Sequence, residues 1–164
     1  RFNVIAKPNE WAKTVKQSRS GTNTISDLKL KQQEFFNKLR EAGTEKSKYD
    51  KSWQIPSPQH WYNIKIGSSR AKLAALINSR DSYVGVELYV HEDKELFANL
   101  MMQKDQIESK LGFQLDWREL PDKKASRALI KRKGDFEDED FQSVLIEWML
   151  ETIDMMAKVL PKYL

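Results

Sequence analysis

Glu87 is the residue whose setting most needs a chemical explanation. It sits in Tyr83-Val84-Gly85-Val86-Glu87-Leu88-Tyr89-Val90-His91, where every second residue is aliphatic and the intervening ones are polar or aromatic. An extended strand puts those two sets on opposite faces. A carboxyl between two tyrosines is suited to acid/base work if burial raises its pKa, and Tyr83 and Tyr89 are in reach to hydrogen-bond it. The alternative is a cross-strand charge pair with Lys65, Lys72 or Arg70. A second group is Pro58-Gln59-His60-Trp61-Tyr62. There His60 and Trp61 would make either a stacking platform for a base or small ring, or a lid over the sheet edge. The third group is Glu119-Leu120-Pro121-Asp122-Lys123-Lys124-Ala125-Ser126-Arg127. Its cations, with Arg132 and Lys133, carry the charge that phosphate contacts require. The five acids Asp135, Glu137, Asp138, Glu139 and Asp140 follow at once, so local neutralisation competes with that role.

The absences narrow the chemistry further. The 164 residues contain no Cys, which excludes disulfides, a thiolate nucleophile and Cys-ligated metal sites. His60 and His91 are the two histidines. With Glu87 they form no recognised ligand spacing, so no metal site is assigned. A Gly-rich phosphate loop, a nucleophile elbow and a histidine–glutamate zinc motif are all missing. No cofactor is expected.

The elements that must position these residues follow from periodicity. Phe2 to Ala6 reads as a strand, Pro8 as the start of a helix, and Ser18 to Ser26 as a loop. Leu28, Phe35, Leu39 and Ala42, with Leu30 and Phe36, have helical spacing from Asp27 to Ala42, with Ser26 as N-cap and Gly43 as terminator. Thr44 to Pro58 is Lys-rich with two prolines and reads as a mobile connection. Three strands are expected at His60–Ile66, Ala71–Ile77 and Tyr83–His91, separated by short turns. An amphipathic helix from Asp93 to Leu111 ends at Gly112. Strands at Gln114–Leu120 and Ala125–Lys131 flank the turn Pro121-Asp122-Lys123-Lys124. The last helix runs from about Asp138 to Leu160, apolar at Phe141, Leu145, Trp148, Met149 and Met156, a stripe wide enough to predict a homodimer or docking face. Short links between consecutive strands favour an antiparallel meander plus hairpin. The expected fold is α+β, a mainly antiparallel five-stranded sheet with three main helices packed on it.

Length and composition fit one globular domain over residues 1–164, since 40% of the residues are hydrophobic and 5 Trp, 5 Tyr and 7 Phe supply a core. No apolar run spans a membrane and no signal peptide opens the chain, so a cytoplasmic protein is expected. The net charge of +4 is uneven: +7 through Glu92 and −3 beyond it. Seven bases and two acids lie between Arg118 and Lys133. Such basic surface permits DNA or RNA as a partner.

Several segments together carry a family resemblance: Arg1-Phe2-Asn3-Val4-Ile5-Ala6-Lys7-Pro8-Asn9-Glu10-Trp11, Pro58-Gln59-His60-Trp61-Tyr62, Gly85-Val86-Glu87-Leu88-Tyr89, Glu119-Leu120-Pro121, Lys124-Ala125-Ser126-Arg127 and Gly134-Asp135-Phe136. In this order they resemble the bacterial domain-of-unknown-function family 4268. The resemblance implies the C-terminal part of a longer chain, after an endonuclease-like module of the Asp…Glu-x-Lys type, and Arg1 in place of an initiator Met fits an excised domain. The predicted element order is also that of such nuclease cores, in which an acid and a Glu-x-Lys pair hold magnesium and activate water. Here the strand reads Glu87-Leu88-Tyr89, with Tyr in place of the lysine, and Asp81 lies in a turn only six residues earlier. The expected function is therefore a non-catalytic accessory or recognition domain. Lys123, Lys124, Arg127, Arg70 and Arg80 are expected to contact nucleic acid or an acidic partner, and His60, Trp61, Glu87, Tyr89 and Glu119 to line the specific pocket. A divergent magnesium-dependent nuclease core with Glu87 as catalytic residue, and a dimerisation module, are the alternatives.

Overall fold

The computed structural model describes residues 25–47 and 53–164. The expected strand at Phe2–Ala6 and helix start at Pro8 lie outside the described residues. Five strands form one sheet: β1 (Trp61–Ile64), β2 (Ala71–Asn78), β3 (Tyr83–Val90), β4 (Asp116–Arg118) and β5 (Ser126–Lys133). Their spatial order is β1-β2-β3-β5-β4, every neighbouring pair antiparallel. The expected meander is β1 to β3 and the expected hairpin is β4 and β5. The chain returns through helices before β5 joins β3, so this central pairing is non-local.

Alternation divides the sheet into two unlike faces. Val84, Val86, Leu88 and Val90 of β3 are fully buried, and Tyr62, Ile64, Leu73, Ala75, Ile77 and Ala128 continue the same apolar face across the neighbouring strands. The helices cover this face. They are α1 (Asp27–Lys46), α2 (Lys94–Met102), α3 (Lys104–Leu111) and α4 (Glu139–Val159), followed by a 3-10 turn at Leu160–Tyr163. Phe36 of α1 stacks on Tyr62, Phe97 of α2 packs against Trp117, and α4 buries Leu145, Met149, Ile153 and Met156 completely. The apolar stripe of α4 is thus largely used inside the fold, with Phe141 and Trp148 partly buried against the core. Among the described residues, no helix is long and apolar enough to cross a membrane.

Four local expectations are corrected. The helix expected to stop at Gly43 continues to Lys46, because Gly43 is a buried packing site occupied by the Trp53 indole rather than a left-handed terminator. The first leucines of that helix, Leu28 and Leu30, are exposed, so its buried stripe starts at Gln32. The segment after it is anchored where described. Arg40 Nε donates to the Trp53 carbonyl at 3.1 Å, Gln33 Nε2 to that of Pro56 at 3.0 Å, and the Tyr62 hydroxyl to that of Gln54 at 2.6 Å. The single helix expected from Asp93 to Leu111 is two, broken at Gln103, whose φ of −106° and ψ of 15° leave the helical region. Asp93 caps the first by accepting from the Leu96 N–H at 2.9 Å, and Gly112 ends the second at φ 86°, a conformation that favours glycine.

Candidate functional site

The second face of the sheet carries the chemistry. In register across it stand Asn63, Ala74, Glu87, Leu129 and Asp116, and in the next row on that face Lys72, Tyr89, Arg127 and Arg118. Towards the other end lie Trp61, Leu76, Gly85 and Lys131, then Asn78, Tyr83 and Lys133. A cleft of about 450 Å³ opens on this lattice, within the range of roughly 300–1,000 Å³ typical of small-molecule sites. Its walls include His60, Trp61, Lys72, Tyr83, Tyr89 and Arg127, with Glu87 at its floor, only 3% exposed.

Glu87 and Arg127 form a close but incompletely satisfied pair. Arg127 Nη1 lies 3.7 Å from Glu87 Oε1, near enough for charge attraction but too far for a hydrogen bond. Glu87 Oε1 and Arg127 Nε are both buried and have no hydrogen-bond partner among the described residues. Burial raises the Glu87 pKa above its ordinary value, while Arg127, Arg118 and Lys72 pull it back. The tyrosines do not bond it. Instead two cations lie over the Tyr89 ring, Lys72 Nζ at 5.2 Å and the Arg127 guanidinium at 5.9 Å from its centre. Lys131 Nζ lies 4.8 Å from the centre of the Tyr83 ring, and His60 meets Trp61 edge to face at 4.7 Å. Rings held by cations in this way have defined faces on which a further planar group can stack.

The other expected residues separate. His60, Trp61, Glu87, Tyr89 and Arg127 share the cleft. Glu119 is exposed and does not line it; its backbone carbonyl is used in the hairpin instead, accepting from Lys94 Nζ and from Ser126 Oγ. Lys123 and Lys124 sit on the hairpin turn, where Lys124 Nζ is 3.5 Å from Glu92. Arg70 grips the cap residue Asp93 at 2.8 and 2.9 Å. Arg80 lies in the turn at the opposite end of the sheet, 90% exposed. The five proposed cations therefore do not form one patch. The acids after β5 are not matched to the hairpin either: Glu137 pairs with Lys31 of α1 at 2.9 Å, and Asp138 caps α4.

Two features escaped the sequence reading. Lys94 Nζ lies within hydrogen-bonding distance of the carbonyls of Glu119, Leu120 and Ala125 and of Ser126 Oγ, tying α2 to the hairpin loop. Asn63 and Asn78 line the cleft, and their alternation with buried neighbours was the available signal. Among the described residues, no cluster of three or more His, Asp or Glu side chains is placed to hold a metal ion. His91 stacks beside Tyr89 at 6.2 Å and is not among the residues lining the cleft. Asp81 lies in the β2–β3 turn, its backbone N–H bonded to Asn78 Oδ1.

Neither the curated proteins nor the solved structures yield a match to this chain. A family model does match, over residues 31–164, a span that contains all five strands, the cleft and most of α1. The chain thus belongs to the family described as a domain of unknown function, DUF4268.

Proposed function

We propose that this is a non-catalytic recognition domain that binds single-stranded nucleic acid on the open face of its sheet. One observation carries the reading: that face gathers the rings of Trp61, Tyr83 and Tyr89 with the cations Lys72 and Arg127 around a single cleft, and sets Lys131 over the Tyr83 ring at its margin. Aromatic faces stack bases and cations track phosphates, and a sheet surface presenting both is a recurrent solution for single strands. Glu87 is suited to reading rather than to cleavage. It faces a guanidinium instead of a second carboxylate, and the strand position two residues on is Tyr89 instead of a lysine. Within a longer bacterial cytoplasmic protein, such a domain would hold substrate for an endonuclease-like module preceding it, as the family resemblance implies.

The test is to titrate the isotope-labelled chain with a short single-stranded oligonucleotide and follow its backbone amide signals. Shifts concentrated on β1, β2, β3 and β5 are expected. Shifts confined to the helices, or to the turn around Lys123 and Lys124, would contradict the open-face reading.

A further inference from the structure

We propose that Glu87 and Arg127 read the Watson–Crick edge of a guanine stacked in the cleft. The inference rests on the nucleic-acid reading above and deepens it. Glu87 and Arg127 both line one cleft, with Arg127 Nη1 3.7 Å from Glu87 Oε1, and the buried acceptor Glu87 Oε1 and buried donor Arg127 Nε have no hydrogen-bond partner among the described residues. Unsatisfied buried polar groups are costly, so a ligand that completes both gains more than the contacts alone provide. A carboxylate has two acceptor oxygens side by side, and a guanidinium adds a donor next to them. From Arg127 to Glu87 the order is donor, acceptor, acceptor.

That order decides among the bases. Guanine presents O6, N1–H and N2–H in sequence, an acceptor followed by two donors, and it is the one base with two adjacent donors on this edge. Cytosine presents donor, acceptor, acceptor and would set like against like. Adenine offers one donor beside the acceptor N1. Uracil and thymine place O2 against the second carboxylate oxygen. Tyr89, which lines the same cleft with Lys72 and Arg127 over its ring, supplies aromatic surface next to the reading pair, and Lys72 is placed to meet a phosphate. The shared ligand chemistry is a phosphorylated guanine nucleoside, whether free or within a strand.

The experiment measures binding of the full chain to GMP, AMP, CMP and UMP by calorimetry at fixed low salt. In parallel it uses two oligonucleotides that differ by a single central G or A. GMP is expected to bind roughly tenfold or more tighter than the other three, the lower part of what a bidentate base contact is worth. Glu87→Gln, which turns one acceptor into a donor at constant shape, is expected to abolish that preference and leave the weaker base-independent binding. If mononucleotides bind too weakly to measure, a preference for the G-containing oligonucleotide supports the proposal and identifies a strand as the source. Equal affinity for all bases, or preference for adenine or cytosine, overturns the guanine assignment and leaves the open-face reading standing. Absence of binding to every nucleotide and oligonucleotide overturns both. The ranking of bases by the unmodified chain decides the matter even if the Glu87 variant folds poorly.

Discussion

At the scale of single residues, Glu87 is a carboxyl whose ordinary pKa of 4.5 is raised by burial, against the pull of Arg127, Arg118 and Lys72. The sign of its contribution to stability follows. Below pH 4.5 the group is protonated in both states and costs nothing. As pH rises the unfolded chain loses its proton first, so the folded state holds more protons and its stability falls until the raised folded value is passed. Glu87→Gln removes this penalty. In denaturant titrations at pH 4 and pH 7.5, its stability relative to the unmodified chain is expected to be more favourable at the higher pH; a difference that does not change with pH would contradict the burial account. Lys94 acts in the opposite sense, as a structural cation. Lys94→Met keeps the aliphatic stem but removes a charged donor shared by four acceptors, and is expected to cost about 2 kcal/mol, measured by chemical unfolding. The chemical identities at the site were legible early, because Glu87, Tyr89, His60 and Trp61 are odd in their local patterns. Lys94 was not, since a lysine in the first turn of an amphipathic helix looks like ordinary solvated charge.

At the scale of elements, period-two alternation made β3 and its aliphatic face readable residue by residue, because a strand buried on one side leaves no other solution for Val84, Val86, Leu88 and Val90. Helix ends were less readable. Gly43 has the composition of a terminator, but it stays helical because Trp53, stacked near Tyr62 at 6.4 Å, occupies the space a side chain would take. Gly43→Ala is therefore expected to lower the melting temperature, although alanine in a helix interior is ordinarily favoured over glycine by about 1 kcal/mol. A rise in melting temperature would show that the indole yields freely. The break at Gln103 carries no Gly or Pro to announce it. In the core, Leu88→Ala opens a fully buried position beneath the cleft and is expected to cost about 2–5 kcal/mol, read by chemical unfolding.

At the scale of the whole molecule, the site depends on the pairing of β3 with β5, which sets Glu87 beside Leu129 and Tyr89 beside Arg127. That pairing spans α2, α3 and the hairpin, so local spacing could not reveal it. This is why Arg127 was grouped by sequence with Lys123 and Lys124, while the fold separates it from them and joins it to Lys72 and Tyr89. The uneven charge of the chain resolves in the same way: Arg70, Lys124 and Lys31 meet acidic partners away from the cleft, and Lys72, Lys131 and Arg127, the last paired with Glu87, are set against rings on one face. The most direct test of that account is the salt dependence of single-stranded oligonucleotide binding. If Lys72 and Lys131 meet phosphates while Arg127 meets a base, the slope of log K against log salt is expected near −1.4, at roughly 0.7 per contact. Lys72→Ala is expected to reduce it by about 0.7. The paired substitution Lys123→Ala with Lys124→Ala is expected to leave the slope unchanged. A slope insensitive to Lys72 but lost with Lys123 and Lys124 would contradict the open sheet face as the binding surface.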